Sequence, residues 1–348
     1  MTLVDAPSEI RPGEELDLPR LTAYLQSQLG VNSRIEIRQF PRGHSNLTYL
    51  VRAGDREWVL RRPPFGSQVK GAHDMGREFR ILSKLSQAWP KAPKPVAHCE
   101  DPEVLGAPFY LMERLRGVIV RTELPSGFPL GAICNSFVET LAELHGLDAD
   151  EVGLGDLGKP EGYNQRQVLG WSKRYENAQT EPAKEIDELG AWLRARIPSE
   201  SGAALVHNDY KLDNVVLAEN DPSRIIGVLD WEMSTLGDPL MDLGTTLAYW
   251  VQADDPEELQ RIAFGPTMQD GAPTRRELAL RYAEKTGRDV SNALFYYAFG
   301  LFKTAVVLQQ IYFRFRKGLT TDPRFADLGE RARILARAGL HAIEADTI

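Results

Sequence analysis

The sequence predicts an α+β protein of two lobes, a small lobe built on an antiparallel sheet and a larger, mostly helical lobe. In residues 34–62, segments that alternate apolar and polar residues are separated by turn-forming residues, which is typical of consecutive antiparallel strands. After Gly117 the pattern changes to long stretches with helical spacing. The chain has 348 residues, 43% of them hydrophobic, which is enough to bury the cores of two lobes. We therefore expect lobes at residues 1–116 and 117–348.

The elements of the small lobe follow from apolar spacing and from capping residues. "LPRLTAYLQSQLG" has helical spacing and ends at Gly30, a helix stop. Strands are predicted for "RIEIRQF", "NLTYLVRAG" and "EWVLRRP". A second helix is predicted from Asp74, a candidate N-cap, to Gln87. Prolines then interrupt the chain before "FYLMERLRG", which is predicted to be another strand.

The most apolar stretch of the chain is residues 295–313 in the second lobe. Its length is close to the roughly 20 residues that span a membrane. However, it contains Lys303, Gln309 and Gln310, and membrane spans seldom contain so many polar side chains. The sequence therefore predicts a buried helix of a soluble protein.

Charge and cysteine usage exclude several classes of protein. The chain has 41 Lys and Arg against 49 Asp and Glu, a formal net charge of −8, and no long basic run. Nucleic acid is therefore not expected as a partner. Cys99 and Cys134 lack the spacing of a zinc site or a redox pair. The amino terminus carries acids and prolines where a signal peptide would be basic and then apolar, so we expect a cytoplasmic protein.

Residues 204–232, "ALVHNDYKLDNVVLAENDPSRIIGVLDWE", combine acidic and amide side chains with two short apolar runs. If the runs pair as an antiparallel hairpin, Asn214 comes just before its first strand and Asp230 just after its second, and Asp209 lies in the preceding loop. Their oxygens suit Mg²⁺, which keeps sites for water and phosphate. We expect Asn214 and Asp230 to hold the metal and Asp209 to accept a proton. The alternative is a turn rich in solvated Asn and Asp side chains.

The pattern H-x-D-x-x-x-x-N, followed by a strand and an Asp, resembles the aminoglycoside phosphotransferase and choline kinase superfamily. It is most similar to the branch found beside or fused to acyl-CoA dehydrogenases. The resemblance implies a bilobal, protein-kinase-like fold that transfers the γ-phosphate of ATP or GTP to a small-molecule hydroxyl, with Mg²⁺. It assigns Asp209 as the base and Asn214 and Asp230 as the metal ligands. His207 and Asp242 are then expected to support the catalytic loop.

The resemblance also implies nucleotide-binding residues in the small lobe. Ser45 and Asn46 lie in "RGHSNLTYLV", which is similar to the family's nucleotide-covering hairpin, although many hairpins use such residues simply to turn. Arg61 stands where kinases carry a strand lysine, and its planar guanidinium would contact phosphate with a different geometry. Main-chain groups of Glu113 and Leu115 would contact adenine, as in the kinase hinge.

Glu78 provides an independent indication of the kinase arrangement. It shares a helix face with apolar residues at offsets of three, four and seven, and a carboxylate on such a face requires a partner. Arg61 is the expected partner, as in the strand-to-helix ion pair of kinases. Arg62 is the competitor, because neighbouring strand residues point to opposite faces. The alternative is a glutamate at the solvent edge of the face.

Several functions remain open on the acceptor side. Only eleven residues separate Asp230 from Asp242, too few for the activation segment of a protein kinase. The resemblance suggests a hydroxyacyl-type substrate and a functional link to an acyl-CoA dehydrogenase; the alternatives are an aminoglycoside O-phosphotransferase and a nucleotide-binding pseudokinase without turnover. Side chains of two helices could line the acceptor site or bond internally: Trp171, Arg174, Tyr175, Lys303, Gln310 and Arg314.

Overall fold

The computed structural model describes residues 6–40, 46–65, 74–124, 127–320 and 322–348. These residues belong to two compact units. Unit 1 comprises Met1–Ile119 and Val215–Glu232, and unit 2 comprises Val120–Asn214 and Met233–Ile348.

Unit 1 contains a five-stranded antiparallel sheet with the strand order β1-β2-β3-β5-β4, and a separate two-stranded hairpin, β7-β8. Its helices and strands are α1 Leu18–Leu29, β1 Ile35–Gln39, β2 Leu47–Ala53, β3 Arg56–Arg62, α2 Met75–Ala88, β4 Pro95–Cys99, α3 Pro102–Leu105, β5 Phe109–Glu113, β7 Val215–Ala218 and β8 Asp221–Val228.

The sheet of unit 1 forms because its strands alternate side chains between two faces. Leu60 of β3 is fully buried in an apolar cluster with Leu21 and Leu25 of α1. The neighbouring Arg61 points to the opposite face, towards α2. Asp74 caps α2 as predicted, since its side chain accepts from the backbone N–H of Arg77. The predicted antiparallel meander is thus confirmed, together with the helix that follows it.

The hairpin β7-β8 belongs to unit 1. The second unit is therefore not the continuous segment 117–348 that the sequence suggested. The first boundary lies at Ile119 instead of near residue 116. Backbone hydrogen bonds explain this: Val118 and Leu217 form a bridge of two bonds, and the N–H of Val228 donates to the carbonyl of Lys91. Close packing adds to them, because a Cβ atom on Gly117 would lie 2.3 Å from the carbonyl oxygen of Leu217.

Unit 2 is mostly helical and contains one short strand pair, β6-β9, among its described residues. Its elements are α4 Leu130–His145, α5 Tyr163–Ala178, α6 Lys184–Arg194, β6 Ala204–Val206, a 3₁₀ turn Leu212–Asn214, β9 Thr235–Gly237, α7 Pro239–Ala248, α8 Glu257–Gln260, α9 Arg275–Thr286, α10 Ala293–Arg316, a 3₁₀ turn Pro323–Phe325 and α11 Leu328–Ala345. The predicted α+β class, a small antiparallel sheet region with a helical second part, is confirmed.

Helix α10 is the apolar segment that the sequence analysis identified. It is long and apolar enough to cross a membrane by length and composition alone, but 72% of its most apolar window is buried inside the protein. That degree of burial is typical of the core helix of a soluble protein. The prediction of a buried helix is therefore confirmed.

Helices α7 and α10 approach each other closely at two glycines. A Cβ atom on Gly300 of α10 would lie 2.2 Å from the carbonyl oxygen of Gly244 in α7, and a Cβ atom on Gly244 would lie 2.1 Å from the carbonyl oxygen of Tyr296. Neither backbone oxygen can move away without shifting its helix. The two glycines therefore set the distance between these helices.

We expect Gly300→Ala to lower the free energy of unfolding by about 1–3 kcal/mol, because the added methyl group forces the two helices apart. Urea denaturation monitored by circular dichroism would measure the change. Gly170→Ala in α5 is the matched control, since its Cβ would meet only the flexible side chain of Arg174 at 3.3 Å. That control should gain about 0.5–1 kcal/mol from the better helix propensity of alanine. Equal stability losses in the two variants would contradict the proposed close approach.

Candidate active site

The loop between β6 and the 3₁₀ turn of unit 2 is held by a buried carboxylate, that of Asp242. Asp242 lies in the first turn of α7 and is fully buried. It accepts hydrogen bonds from the backbone N–H groups of His207, at 2.6 Å, and Asn208, at 2.7 Å. Nε2 of His145 lies 3.1 Å from the same carboxylate. The expected support of the loop by Asp242 is therefore present.

Asp242 is an anion in this position. Burial alone would raise its pKa, but the hydrogen bond and charge of His145, together with the backbone N–H of His207, hold the pKa below its ordinary value. His207 is itself fully buried, and its Nδ1 accepts from the backbone N–H of Asp209 at 3.2 Å. This contact fits the expected loop-supporting role of His207.

Asp209 presents a carboxylate that three side chains contact. Its Oδ1 accepts from the hydroxyl of Tyr249 at 2.7 Å. Its Oδ2 lies 3.1 Å from Nδ2 of Asn214 and 3.1 Å from Nζ of Lys211. The Asp209 side chain is 18% exposed, so it is oriented by these contacts and still reachable by a small molecule. Such an arrangement fits a proton acceptor.

Sequence reasoning missed two of these contacts. Lys211 lies inside the motif, but the H-x-D-x-x-x-x-N pattern treats its position as a spacer. Tyr249 follows Asp242 by seven residues, which places both on one face of α7, and this offset was a signal that could have identified it.

Asn214 has its side-chain orientation determined by Asp209. Its Nδ2 donates to the carbonyl oxygen of Asp209 at 2.9 Å as well as to the carboxylate. With the amide nitrogen placed this way, Oδ1 is left without a hydrogen bond to any residue that the structure describes. An amide oxygen is the kind of ligand that Mg²⁺ accepts.

Arg61 of unit 1 lies between two carboxylates. Its Nη1 donates to Oε1 of Glu78 at 2.6 Å, and its Nη2 donates to Oδ1 of Asp230 at 2.8 Å. The predicted Arg61–Glu78 pair is present, and Glu78 is 1% exposed. Arg62 points to the other face, where its Nε donates to the Pro63 carbonyl, and it forms no ion pair with any residue in the described ranges.

The charge of Arg61 is permanent here. Burial alone would lower the pKa of this guanidinium, but the carboxylates of Glu78 and Asp230 raise it well above its ordinary value. The fork of the guanidinium contacts both acids at once, which a lysine ammonium in this position would do with a single nitrogen.

Asp230 has a backbone conformation that few non-glycine residues adopt, with φ of 68°. Such outliers persist where the surrounding structure requires them, and they cluster at functional sites. Its side chain is 31% exposed. The next two residues are held within unit 1: the N–H of Trp231 donates to Glu78 at 3.3 Å, and Glu232 accepts from Nδ2 of Asn46 at 2.7 Å.

The remaining predicted nucleotide-binding residues differ in how they are placed. Ser45 lies outside the described residues. Asn46 is buried, at 3% exposure, and its side chain contacts Glu232. Glu113 ends β5 and its N–H donates to the Lys94 carbonyl, so its carbonyl oxygen is the group to consider for adenine. Leu115 is partly buried against Gly227.

The possible metal ligands are oxygen donors. In the part of the chain that the structure describes, no group of three His, Cys, Asp or Glu side chains could hold a metal ion by itself. Asn214 offers an amide oxygen, and Asp230 offers a carboxylate. Each is by itself the kind of oxygen ligand that Mg²⁺ accepts, together with water and phosphate.

The polar residues predicted near the acceptor have different surroundings. Lys303 is buried, at 4% exposure, and bonds internally. Arg174 lies over the ring of Trp171 at 4.6 Å, and the Tyr175 hydroxyl donates to the Ala183 carbonyl at 3.5 Å. Arg314 is exposed near the end of α10. Internal bonding, the alternative weighed for these residues, therefore applies to Lys303 and Tyr175.

Proteins of known sequence are similar to nearly the whole chain. Rat acyl-CoA dehydrogenase family member 11 is 35% identical over 347 residues, covering 95% of this chain and 44% of that protein. The chain thus spans less than half the length of this relative. A provisionally assigned aminoglycoside phosphotransferase from Ralstonia eutropha is 33% identical in its crystal structure, with a TM-score of 0.79 and coverage of 95% of this chain and 99% of the other.

The kinase-like fold is shared more widely. Choline kinase from Cryptosporidium parvum has a TM-score of 0.66 at 14% identity, covering 95% of this chain and 97% of that protein, which shows likeness of fold alone. The predicted bilobal, kinase-like fold class is confirmed, as is the resemblance to the branch associated with acyl-CoA dehydrogenases. The model of the phosphotransferase enzyme family, APH, matches residues 36–280, and the chain therefore belongs to that family.

Proposed function

We propose that this family member is a small-molecule kinase that moves the γ-phosphate of ATP or GTP to a hydroxyl group, with Asp209 as the base. The observation that carries the proposal is the Asp209 carboxylate, contacted by Tyr249, Lys211 and Asn214 on a loop that Asp242 holds. Phosphoryl transfer depends on positioning and charge neutralisation more than on covalent catalysis, and this arrangement supplies both.

In the proposed reaction, Asp209 accepts the proton of the acceptor hydroxyl while the hydroxyl oxygen forms a bond to the γ-phosphorus. The bond from that phosphorus to the bridging oxygen breaks, and the nucleoside diphosphate leaves. The hydroxyl of Tyr249 orients the base, and the Lys211 ammonium beside it offsets negative charge on the phosphoryl group.

Arg61 is proposed to contact the nucleotide phosphates, with Glu78 orienting it. Ser45 and Asn46, and main-chain groups of Glu113 and Leu115, are proposed as further nucleotide contacts. Asn214 and Asp230 are proposed as the residues that would hold Mg²⁺, because an amide oxygen and a carboxylate are ligands that Mg²⁺ accepts. When bound, Mg²⁺ neutralises charge on the phosphates.

The acceptor is proposed to be a hydroxyacyl-type molecule, with a functional link to an acyl-CoA dehydrogenase. The relative named acyl-CoA dehydrogenase family member 11 supports this link. The charge near the base also favours a hydroxyacyl-type acceptor over an aminoglycoside. Lys211 places a positive charge beside Asp209, whereas an aminoglycoside is a polycation that binds better to an acidic site. We also propose a cytoplasmic location, in keeping with two free, buried cysteines, and no nucleic-acid or membrane partner.

A screen with γ-labelled ATP and GTP would test the function. The acceptors are hydroxyacids, hydroxyacyl-CoA thioesters and aminoglycosides. Label transfer to the hydroxyacyl compounds supports the proposal. Transfer to aminoglycosides alone would show that the acceptor is an aminoglycoside and not a hydroxyacyl-type molecule. Nucleotide binding by calorimetry without transfer or hydrolysis would indicate a binding module and contradict the proposed kinase.

We expect Asp209→Asn to lower kcat by a factor of about 10² to 10⁴, because the amide cannot accept the hydroxyl proton. Nucleotide affinity measured by calorimetry should stay close to that of the wild type. Asp213→Asn is the control: this acid lies in the 3₁₀ turn that follows the loop, 3.9 Å from Nζ of Lys211, and its side chain is 35% exposed. If both variants turned over at the wild-type rate, Asp209 would not be the base.

Arg61→Met should destabilise the protein by about 3–5 kcal/mol, because it leaves the buried Glu78 carboxylate without its partner. The double variant Arg61→Met/Glu78→Gln should recover most of that stability, since the buried charge is removed with its partner. It should nevertheless bind ATP at least about tenfold more weakly. Calorimetric binding and urea denaturation separate the two effects. Wild-type ATP affinity in the double variant would make Arg61 a purely structural residue.

Tyr249→Phe removes the donor to Oδ1 of Asp209 and should lower kcat by a factor of about 10 to 100, the range for one hydrogen bond to a charged group. The ring remains, so its edge contact with Phe264 is kept and the melting temperature should change little. Phe264→Leu serves as the control for that packing alone. An unchanged kcat in Tyr249→Phe would show that the base needs no orientation from this hydroxyl.

A further inference from the structure

Lys303 is a buried cation whose surroundings resemble those of a functional group more than those of a core residue. It lies in the middle of α10 and is 4% exposed. Its Nζ donates to the backbone carbonyl of Asn208 at 2.5 Å and to Oγ1 of Thr245 at 3.5 Å. Within the described ranges, no carboxylate comes within ion-pair distance of this ammonium. The charge is therefore buried against main-chain and hydroxyl oxygens.

This placement costs folding free energy. Burial lowers the pKa of Lys303 to about 8, even though the carboxylates of Asp242 and Asp209 act in the opposite direction. A methionine would fill the same space without desolvating a charge, so packing alone does not account for a lysine here. Groups kept at such a cost are found mainly where they serve function.

The partner of Lys303 is the residue that precedes the proposed base. Asn208 has φ of 65°, a left-handed conformation that few non-glycine residues adopt. Its N–H donates to Asp242, and its carbonyl accepts from Lys303. Its side chain accepts from the Tyr163 hydroxyl at 3.1 Å and donates to the Met233 carbonyl at 3.2 Å.

The carbonyl of Asn208 belongs to the peptide group that joins it to Asp209. A peptide group is planar, so a hydrogen bond at the carbonyl oxygen restricts the whole plane and the start of the next residue. Asp242 restricts the preceding peptide in the same way, through the N–H of Asn208. Lys303 and Asp242 thus hold Asn208 at its carbonyl and at its N–H.

We propose that Lys303 is a positioning residue for the proposed phosphotransferase reaction: its ammonium holds the Asn208–Asp209 peptide and so places the Asp209 carboxylate for proton transfer. The inference rests on the proposed role of Asp209. The charged form makes the stronger hydrogen bond to a carbonyl, so the protonated ammonium is the active form.

The pH dependence follows from the groups that face Lys303. These are Asp242 from α7, Asp209 and Lys211 from the loop, and Arg174 from α5. The Trp171 ring of α5 also lies nearby, with its centroid 5.9 Å from Nζ of Lys303. The Lys303 ammonium has a lowered pKa, and it loses its proton as the pH rises through that value. The kcat of the wild type should therefore fall as pH rises through about 8.

Lys303→Met tests the proposal, and Gln309→Leu is the matched control. Gln309 is equally buried on α10, at 5% exposure, but it donates to the Ala178 carbonyl and to Thr180, away from the loop. We expect Lys303→Met to melt no lower than the wild type and to lower kcat at pH 7.5 by a factor of about 10 to 100, with KM for nucleotide within about threefold. Its decline in kcat above pH 8 should be lost.

A second readout does not require turnover. Hydrogen exchange measured by mass spectrometry should be faster in the peptide covering residues 205–215 of Lys303→Met, while α10 keeps its protection. Gln309→Leu should leave that loop unchanged. If Lys303→Met does not fold, Lys303→Gln keeps a donor without the charge and should give the same kcat loss and the same flattened pH profile.

The outcomes separate the two proposals. Unchanged loop exchange together with wild-type kcat in Lys303→Met or Lys303→Gln would overturn the positioning role while leaving the kinase function standing. Equal kcat and KM changes in Lys303→Met and Gln309→Leu would also overturn it. Faster loop exchange in Lys303→Met, with no phosphate transfer by the wild type to any acceptor, would support the placement and overturn the proposed function.

Discussion

The hydrogen bonds from two consecutive backbone N–H groups to the buried carboxylate of Asp242 are the interaction on which the proposed site depends. They hold His207 and Asn208 in a loop whose backbone includes a left-handed residue. A loop in that conformation needs external partners for its backbone groups, because no helix or strand supplies them. The fully buried, anionic Asp242 provides them at low dielectric, where such bonds are strong. Asp209, the proposed base, follows directly after these two residues and is positioned by the same loop.

Helices α7 and α10 carry the side chains that hold this loop. Asp242 lies at the start of α7, Tyr249 at its end, and Lys303 approaches from α10. The close crossing at Gly244 and Gly300 places the two helices so near each other that their polar side chains reach the same short loop. Two buried polar side chains of the largely apolar helix α10, those of Lys303 and Gln309, are hydrogen-bonded inside the protein.

In unit 1, ion pairs rather than backbone hydrogen bonds orient the predicted site residues. A single guanidinium, that of Arg61, contacts the helix acid Glu78 and the hairpin acid Asp230. Buried ion pairs of this kind add little net stability, but removal of one member leaves a charge without compensation. The arrangement therefore specifies geometry: it links α2 and β3 to the segment after β8, where the strained backbone of Asp230 sits.

The sequence by itself determined the elements and the residue types of the candidate site. Alternation and helical periodicity predicted the meander, α2 with its Asp74 cap, and Glu78 facing Arg61, because these depend on local spacing along the chain. The motif likewise indicated Asp209 and Asn214. Only the tertiary structure decided that the hairpin after Asn214 joins unit 1, and that Tyr249 and Lys303 contact the loop that carries Asp209. Those contacts join residues 40 and 95 positions apart. The seven-residue offset places Tyr249 on the same face of α7 as Asp242, but no local pattern shows that Tyr249 or Lys303 reaches this loop, since these contacts arise from how the helices pack.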